Sequence, residues 1–193
     1  MANLINEKNI VVLISGRGSN LKSIINATKD KNYPASISLV ISDNKDALGL
    51  KTAQDNNINT LIVARDTFTN TYSFEKNLIE KITFYNPYLI CLAGFMKILS
   101  NEFVDKFRGK IINIHPSLLP KYKGLNTHKK AINAGDEYAG CTVHYVTEQL
   151  DGGEIISQQK VRIEKSDNIN TLSKKVLEVE HKVYPEAIKL LLS

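Results

Sequence analysis

Apolar and polar positions along the chain fall into alternating strand and helix signatures. Ile10 to Ile14 (Ile-Val-Val-Leu-Ile) is a continuous, largely β-branched apolar run, the composition of a strand covered on both faces of a parallel sheet. Ser19 to Thr28 then shows helical spacing, with Leu21, Ile24 and Ile25 on one face and Ser19 or Asn20 available as a cap. The pattern repeats with a strand over Ser36 to Ser42, a helix over Ala47 to Asn56, a short strand at Thr60 to Val63 and a helix over Ser73 to Tyr85. Pro87 separates that helix from a strand at Tyr88 to Ala93; a short helix over Asn101 to Phe107 and a strand over Lys110 to His115 follow.

The second half changes character. Thr127 to Ala134 reads as a helix ending at Gly135, and Gly140 to Val146 and Glu154 to Ile163 as two strands joined through Glu148 to Gly153. Asn168 to Leu192 carries a long helical pattern with Leu172, Val176, Val179 and Val183 inward and a bend expected at Pro185. Alternating β and α elements predict an α/β fold: three layers, α/β/α, around a mostly parallel twisted sheet, with a Rossmann-like N-terminal half and an antiparallel hairpin in the C-terminal half. Ligands of such sheets bind beyond the carboxyl ends of the strands.

A length of 193 residues suits one domain with a sizeable core, and 42% hydrophobic with 23% charged residues is ordinary for a globular protein. Met1 to Asn9 lacks the apolar core of a signal peptide, and no run of about 18 apolar residues occurs to span a bilayer. A cytoplasmic protein without a membrane partner is expected. Cys91 and Cys141 lie in strand-like apolar runs and read as buried free thiols; no CxxC or metal-ligand spacing occurs, so no metal is expected. The net charge of +5 comes from scattered lysines without interleaved aromatics. That reads as a solubility feature first and a weak pointer to small anionic ligands second, and no nucleic-acid partner is expected.

The candidate chemistry centres on Asn113-Ile114-His115-Pro116. Residues two apart on a strand share a face, so Asn113 and His115 point together where Pro116 stops the strand. An amide donor beside a protonatable imidazole is the equipment for stabilising an oxyanion and moving protons. Asp151, before Gly152-Gly153, is plain turn chemistry by itself, yet a loop carboxylate near an imidazole holds it protonated above its ordinary value of about 6.5. His144 alternates in a strand and reads as structural or site-facing, and His128 as a first-turn residue. Glu180 reads as a helix-edge charge or as a carboxylate aimed into a cleft, the former slightly favoured.

Ser15-Gly16-Arg17-Gly18-Ser19-Asn20-Leu21 joins the first strand to the first helix. It reads either as a phosphate cradle of backbone N–H groups or as a turn that binds nothing. Leu21 stands where the dinucleotide fingerprint has its third glycine, which argues against NAD and for a single phosphate.

Taken together, Ile14 to Leu21, Leu92 to Leu99, Asn113 to Tyr122, Thr127-His128, Val143-His144 to Gly153, and Glu180-His181 with Tyr184-Pro185 resemble the phosphoribosylglycinamide formyltransferases. These are folate-dependent enzymes of purine biosynthesis that formylate glycinamide ribonucleotide (GAR). The resemblance covers nearly the whole chain in order and implies one formyltransferase domain over residues 1–193, with phosphate-binding βαβ units over about 9–100 and a catalytic, folate-binding part over about 101–193. It implies 10-formyltetrahydrofolate as co-substrate, GAR as acceptor, and a monomer or homodimer. By matching positions, Asn113, His115 and Asp151 are the catalytic trio, and Gly18, Ser19, Asn20 and Glu180 bind GAR. Met96, Lys97, Ile98 and Leu99, with Asn113, Val146, Thr147, Glu148, Gln149, Leu150 and Asp151, line the folate pocket. The family also has a cis bond at the position of Leu119-Pro120.

The sequence departs from the family at Thr71, where many members have arginine, and Arg65 is the nearest substitute; at Asn126, a histidine in some members; and at Lys97, which keeps the charge of the usual arginine without its planar fork. Three rivals carry other functions. Methionyl-tRNA formyltransferase or formyltetrahydrofolate deformylase would call for an added C-terminal or N-terminal domain that these residues do not supply. A non-catalytic binder of a phosphorylated metabolite would tolerate loss of His115. An NAD oxidoreductase would rest on Gly16 and Gly18 alone.

Overall fold

The structure, a computed structural model, describes residues 8–193, so the reading of Met1 to Asn9 falls largely outside the described residues. The elements run β1 (Lys8–Ile14), α1 (Ser19–Ala27), β2 (Ala35–Ser42), α2 (Leu48–Gln54), β3 (Thr60–Ile62), α3 (Thr71–Tyr85), β4 (Leu89–Leu92), α4 (Asn101–Lys106), β5 (Ile111–His115), α5 (Thr127–Asn133), β6 (Tyr138–Tyr145), β7 (Ile155–Arg162) and α6 (Ile169–Leu192). Every strand and helix expected from the apolar pattern is present, with ends moved by a few residues. A one-turn 3-10 segment at Arg65–Thr67 had no periodic signal to announce it.

The strands form one sheet in the order β3-β2-β1-β4-β5-β6-β7. β3, β2, β1, β4 and β5 are mutually parallel, whereas β6 runs antiparallel to β5 and β7 antiparallel to β6. The uniform hydrophobicity of β1 follows from its place at the centre. Ile10, Val12 and Ile14 pack on the layer of α1, α2, α5 and α6, and Val11 and Leu13 on the layer of α3 and α4. This alternation makes the three layers.

Two details set the site. The chain leaves β1 on one side towards β2 and returns on the other at β4, so the loops after β1 and β4 meet at the switch point. There Ser15 N donates to Gly94 O at 3.2 Å, and Met96 N donates to Ser15 Oγ at 2.9 Å. Tyr184, fully buried on α6, shares its hydroxyl hydrogen between Leu92 O at 3.0 Å and Ile112 O at 3.2 Å, tying the long helix to the end of β4 and to the start of β5 just before Asn113. Pro185 lies inside an uninterrupted α6, and its carbonyl accepts from the Tyr33 hydroxyl at 2.7 Å. Cys91 and Cys141 are buried free thiols, and Leu119-Pro120 is cis. Among the described residues no helix is long and apolar enough to cross a membrane, and no group of His, Cys, Asp and Glu has metal-holding geometry.

Candidate active site

A cleft of about 630 Å³ opens beyond the carboxyl ends of β4 and β5, within the size range of drug-sized ligand pockets. Every residue assigned to the folate pocket lines it: Met96 to Leu99 on one wall, Val146 to Asp151 on another, and Asn113 and His115 at its floor. The walls are largely apolar side chains and backbone. The buried polar side chains His115, His144 and Asp151 gather with Asn113 at the floor.

Antiparallel pairing builds that floor. Asn113 on β5 faces His144 on β6 in register, and Asn113 Nδ2 lies 3.3 Å from His144 Nε2. His144 Nδ1 sits 2.8 Å from Tyr145 O, a pure acceptor, so Nδ1 carries the hydrogen and Nε2 presents its lone pair to the amide. Burial, partly offset by the Tyr145 carbonyl, lowers the pKa of His144, which is only 2% exposed. The neutral ring therefore fixes which end of the Asn113 amide is the nitrogen and leaves its second N–H for a ligand. Asp151 Oδ1, at 3.7 Å from His144 Nε2, is too distant to hydrogen-bond and pairs with no charge on a neutral ring.

His115, 6% exposed, has oxygen on both sides: Nε2 is 3.0 Å from Tyr122 O and Nδ1 is 3.4 Å from Asp151 Oδ2. Gly124 N donates to the same Asp151 oxygen at 2.8 Å, so the carboxylate joins the β5–α5 connection to the β6–β7 turn. Asp151 adopts a left-handed conformation with φ 46°. The turn closes only because residue 153 is glycine: a Cβ there would stand 1.8 Å from Tyr145 O. The Asp-Gly-Gly signal is thus turn chemistry and site chemistry at once. His128 also lines the cleft, and burial, then the nearby His115, lower its pKa.

The second cluster lies under the Gly-rich loop. Gly18, not Ser19 or Asn20, is the N-cap of α1; it has φ 72°, makes no side-chain cap and packs against Gly49, whose Cα would be 2.6 Å from a Cβ on Gly18. The expected side-chain cap is absent because the helix starts one residue earlier, at a glycine, and Asn20, already inside the helix, turns inward and donates from Nδ2 to Glu180 Oε2 at 2.7 Å. Glu180 is 6% exposed, which overturns the helix-edge reading; its apolar surroundings, opposed by the Asn20 bond, raise its pKa to about 7. Asn20 Oδ1 is buried without a partner.

The structure brings Asn113, His115, Asp151 and the folate-pocket residues together around one cleft. It brings Asn20 and Glu180 together as a separate pair, joined to the cleft through Ser15 and Met96. Arg65 does not replace the arginine absent at Thr71: its guanidinium donates to Phe68 O at 3.0 Å and to Thr71 Oγ1 at 3.3 Å, within its own loop, and it does not line the cleft. Lys97 lines the cleft with Nζ 3.8 Å from Asp43 Oδ2. His144 is the residue that sequence reasoning underweighted. The available signal was its antiparallel pairing with Asn113, invisible without the register.

A doubly wound sheet with a donor pair at the end of a central strand and a largely apolar cleft above it has the form of a small-molecule site. Residues 8–188 match the model of the formyl transferase family, and the chain belongs to that family. It is 44% identical over 180 residues to the phosphoribosylglycinamide formyltransferase of Escherichia coli, covering 93% of this chain and 85% of that one. It is 42% identical over 184 residues to the trifunctional purine biosynthetic protein adenosine-3 of Bos taurus, covering 95% of this chain but 18% of the length of that relative. The crystal structure of phosphoribosylglycinamide formyltransferase from Brucella melitensis superposes with a TM-score of 0.94 at 40% identity, over 97% of this chain and 96% of that one.

Proposed function

We propose that this protein transfers the formyl group of 10-formyltetrahydrofolate to the primary amine of GAR, giving N-formyl-GAR and tetrahydrofolate. The observation that carries this reading is the convergence of Asn113, His115 and Asp151 on the floor of the cleft lined by Met96–Leu99 and Val146–Leu150. The pterin lies between those two walls, where backbone groups and apolar side chains suit a flat, amide-like heterocycle. Lys97 at the wall meets the acidic tail of the folate. GAR enters from the Gly-rich loop, with its phosphate on the N–H groups of Gly18, Ser19 and Asn20 and its amine towards Glu180.

Attack of the amine on the formyl carbon forms a C–N bond and places negative charge on the formyl oxygen. Asn113 donates its free N–H to that oxygen, with the amide already turned by His144. His115 is the second donor; the oxyanion shares the Nδ1 side, where the 3.4 Å contact to Asp151 is the looser of its two. Such contacts tighten as charge develops. Collapse breaks the bond to the folate nitrogen, the attacking amine loses one proton and the departing nitrogen gains one, with Asp151 placed to relay it. Neither a metal nor a covalent enzyme intermediate is required by this sequence of bonds.

The test is consumption of 10-formyltetrahydrofolate with and without GAR. Consumption that depends on GAR and yields N-formyl-GAR is the expected result. Equal consumption in its absence would instead mark a deformylase, and none in either case would mark a binding protein.

A further inference from the structure

We propose that Tyr122, tethered by Asp136, is a positioning residue for His115, its backbone carbonyl holding the aim of the ring. This rests on the reading of His115 as an oxyanion donor in formyl transfer. Tyr122 has φ 57°, a left-handed conformation that a bulky side chain adopts only when its surroundings enforce it. The enforcement is visible. The Tyr122 hydroxyl donates to Asp136 Oδ2 at 2.8 Å, and Lys121 Nζ lies 2.9 Å from Asp136 Oδ1, so both carboxylate oxygens are engaged. Asp136 is itself anchored just beyond α5, its N–H donating to Ala131 O at 3.1 Å. On the near side, Ser117 Oγ donates to Lys121 O at 2.7 Å and Lys121 N donates to Leu118 O at 3.1 Å.

These contacts pin the β5–α5 connection at both ends and deliver Tyr122 O to a point 3.0 Å from His115 Nε2. The Lys121 ammonium first, and the Tyr122 hydroxyl second, hold the Asp136 carboxyl below its ordinary range, so at neutral pH it remains the ionised acceptor the tether needs. Neither Tyr122 nor Asp136 lines the cleft, which separates their part from substrate contact. A carbonyl only accepts, so the Nε2–H donates to it, and the ring is thereby turned with its other N–H, on Nδ1, towards Asp151 and the reacting oxygen. Without it the ring is free to swing, a loss of aim that falls on kcat and spares binding.

The experiment compares Tyr122→Phe, Asp136→Ala and Asp136→Asn, reading kcat, both KM values and the ring 15N signals of His115. Tyr122→Phe and Asp136→Ala are expected to lower kcat roughly 10- to 100-fold with each KM within about twofold. Both variants should also move the His115 ring signals from their wild-type positions, the Nε2 signal most, as its bond to Tyr122 O loosens. Asp136→Asn, whose amide oxygen still accepts the phenol, should restore most of kcat and the signals. Unchanged kcat and ring signals in Tyr122→Phe and Asp136→Ala, even with a lower Tm, would reduce the tether to a structural brace and overturn the inference. Should Asp136→Ala not fold, Tyr122→Phe, which removes one oxygen atom, decides the matter. A wild-type protein inactive towards GAR would overturn the functional reading instead, while the ring signals would still report on the tether.

Discussion

The two polar clusters of this protein face opposite electrostatic problems. At the floor of the cleft, Asn113, His115 and Asp151 each have a partner, and the partners are oriented by others: His144 by Tyr145, His115 by Tyr122, Asp151 by Gly124. Under the Gly-rich loop, Glu180 has one donor in Asn20, little solvent and a pKa raised to about 7, and Asn20 Oδ1 has nothing to accept from. The first cluster is prepared to act on developing charge. The second is a dry carboxylate whose charge a cationic ligand would stabilise. On the proposed function, chemistry and acceptor recognition fall to different physical devices on one sheet.

Breaking the first device should have the largest effect. Asn113→Ala or Asp151→Asn is expected to lower kcat about 100- to 1000-fold while the fold, read by circular dichroism, is retained. If either variant kept wild-type turnover, the cleft floor would not be where transfer occurs.

The second device should show itself in stability. The folded pKa of Glu180 is raised from 4.5 to about 7, so its contribution to stability is fully present below about pH 4.5 and is lost as pH rises through about 7. Over that window the change is ~3 kcal/mol, from about 1.4 kcal/mol per pKa unit. Urea unfolding at pH 4.5 and pH 8 should show the difference narrowed in Glu180→Gln; an identical pH dependence in the variant would contradict the burial argument. In the assay, Glu180→Gln should raise the KM for GAR roughly 10-fold, the scale of one charge-assisted hydrogen bond, and leave that for the folate unchanged. A change confined to the folate KM would place Glu180 in the wrong half of the site. The smallest effect is expected from Tyr184→Phe, which removes the one hydroxyl hydrogen shared between Leu92 O and Ile112 O and should cost about 1 kcal/mol of stability, with a smaller effect on activity than Glu180→Gln.

The sequence made the architecture legible because apolar runs and helical periods report burial directly, and β1 is hydrophobic on both faces for the reason that two helical layers cover it. It also made Asn113 and His115 legible, since two-residue spacing on a strand defines a shared face. Three things it could not give are long-range. The pairing of Asn113 with His144 depends on an antiparallel register between strands 31 residues apart in sequence. The inward turn of Glu180 depends on Asn20, 160 residues away. The left-handed Tyr122 has no local signature, because tyrosine does not favour that conformation and its hydroxyl finds its acceptor in Asp136, 14 residues away. Arg65 failed as a substitute for a similar reason: its own loop offers nearer acceptors than the cleft does.

The central claim is that His115 works on the reacting oxygen rather than on the fold. Its most direct test is the single-turnover rate of formyl transfer by His115→Ala with both substrates saturating. A rate about 100- to 1000-fold below wild type, with binding of the folate intact, is the predicted result. A near-normal rate would contradict the account.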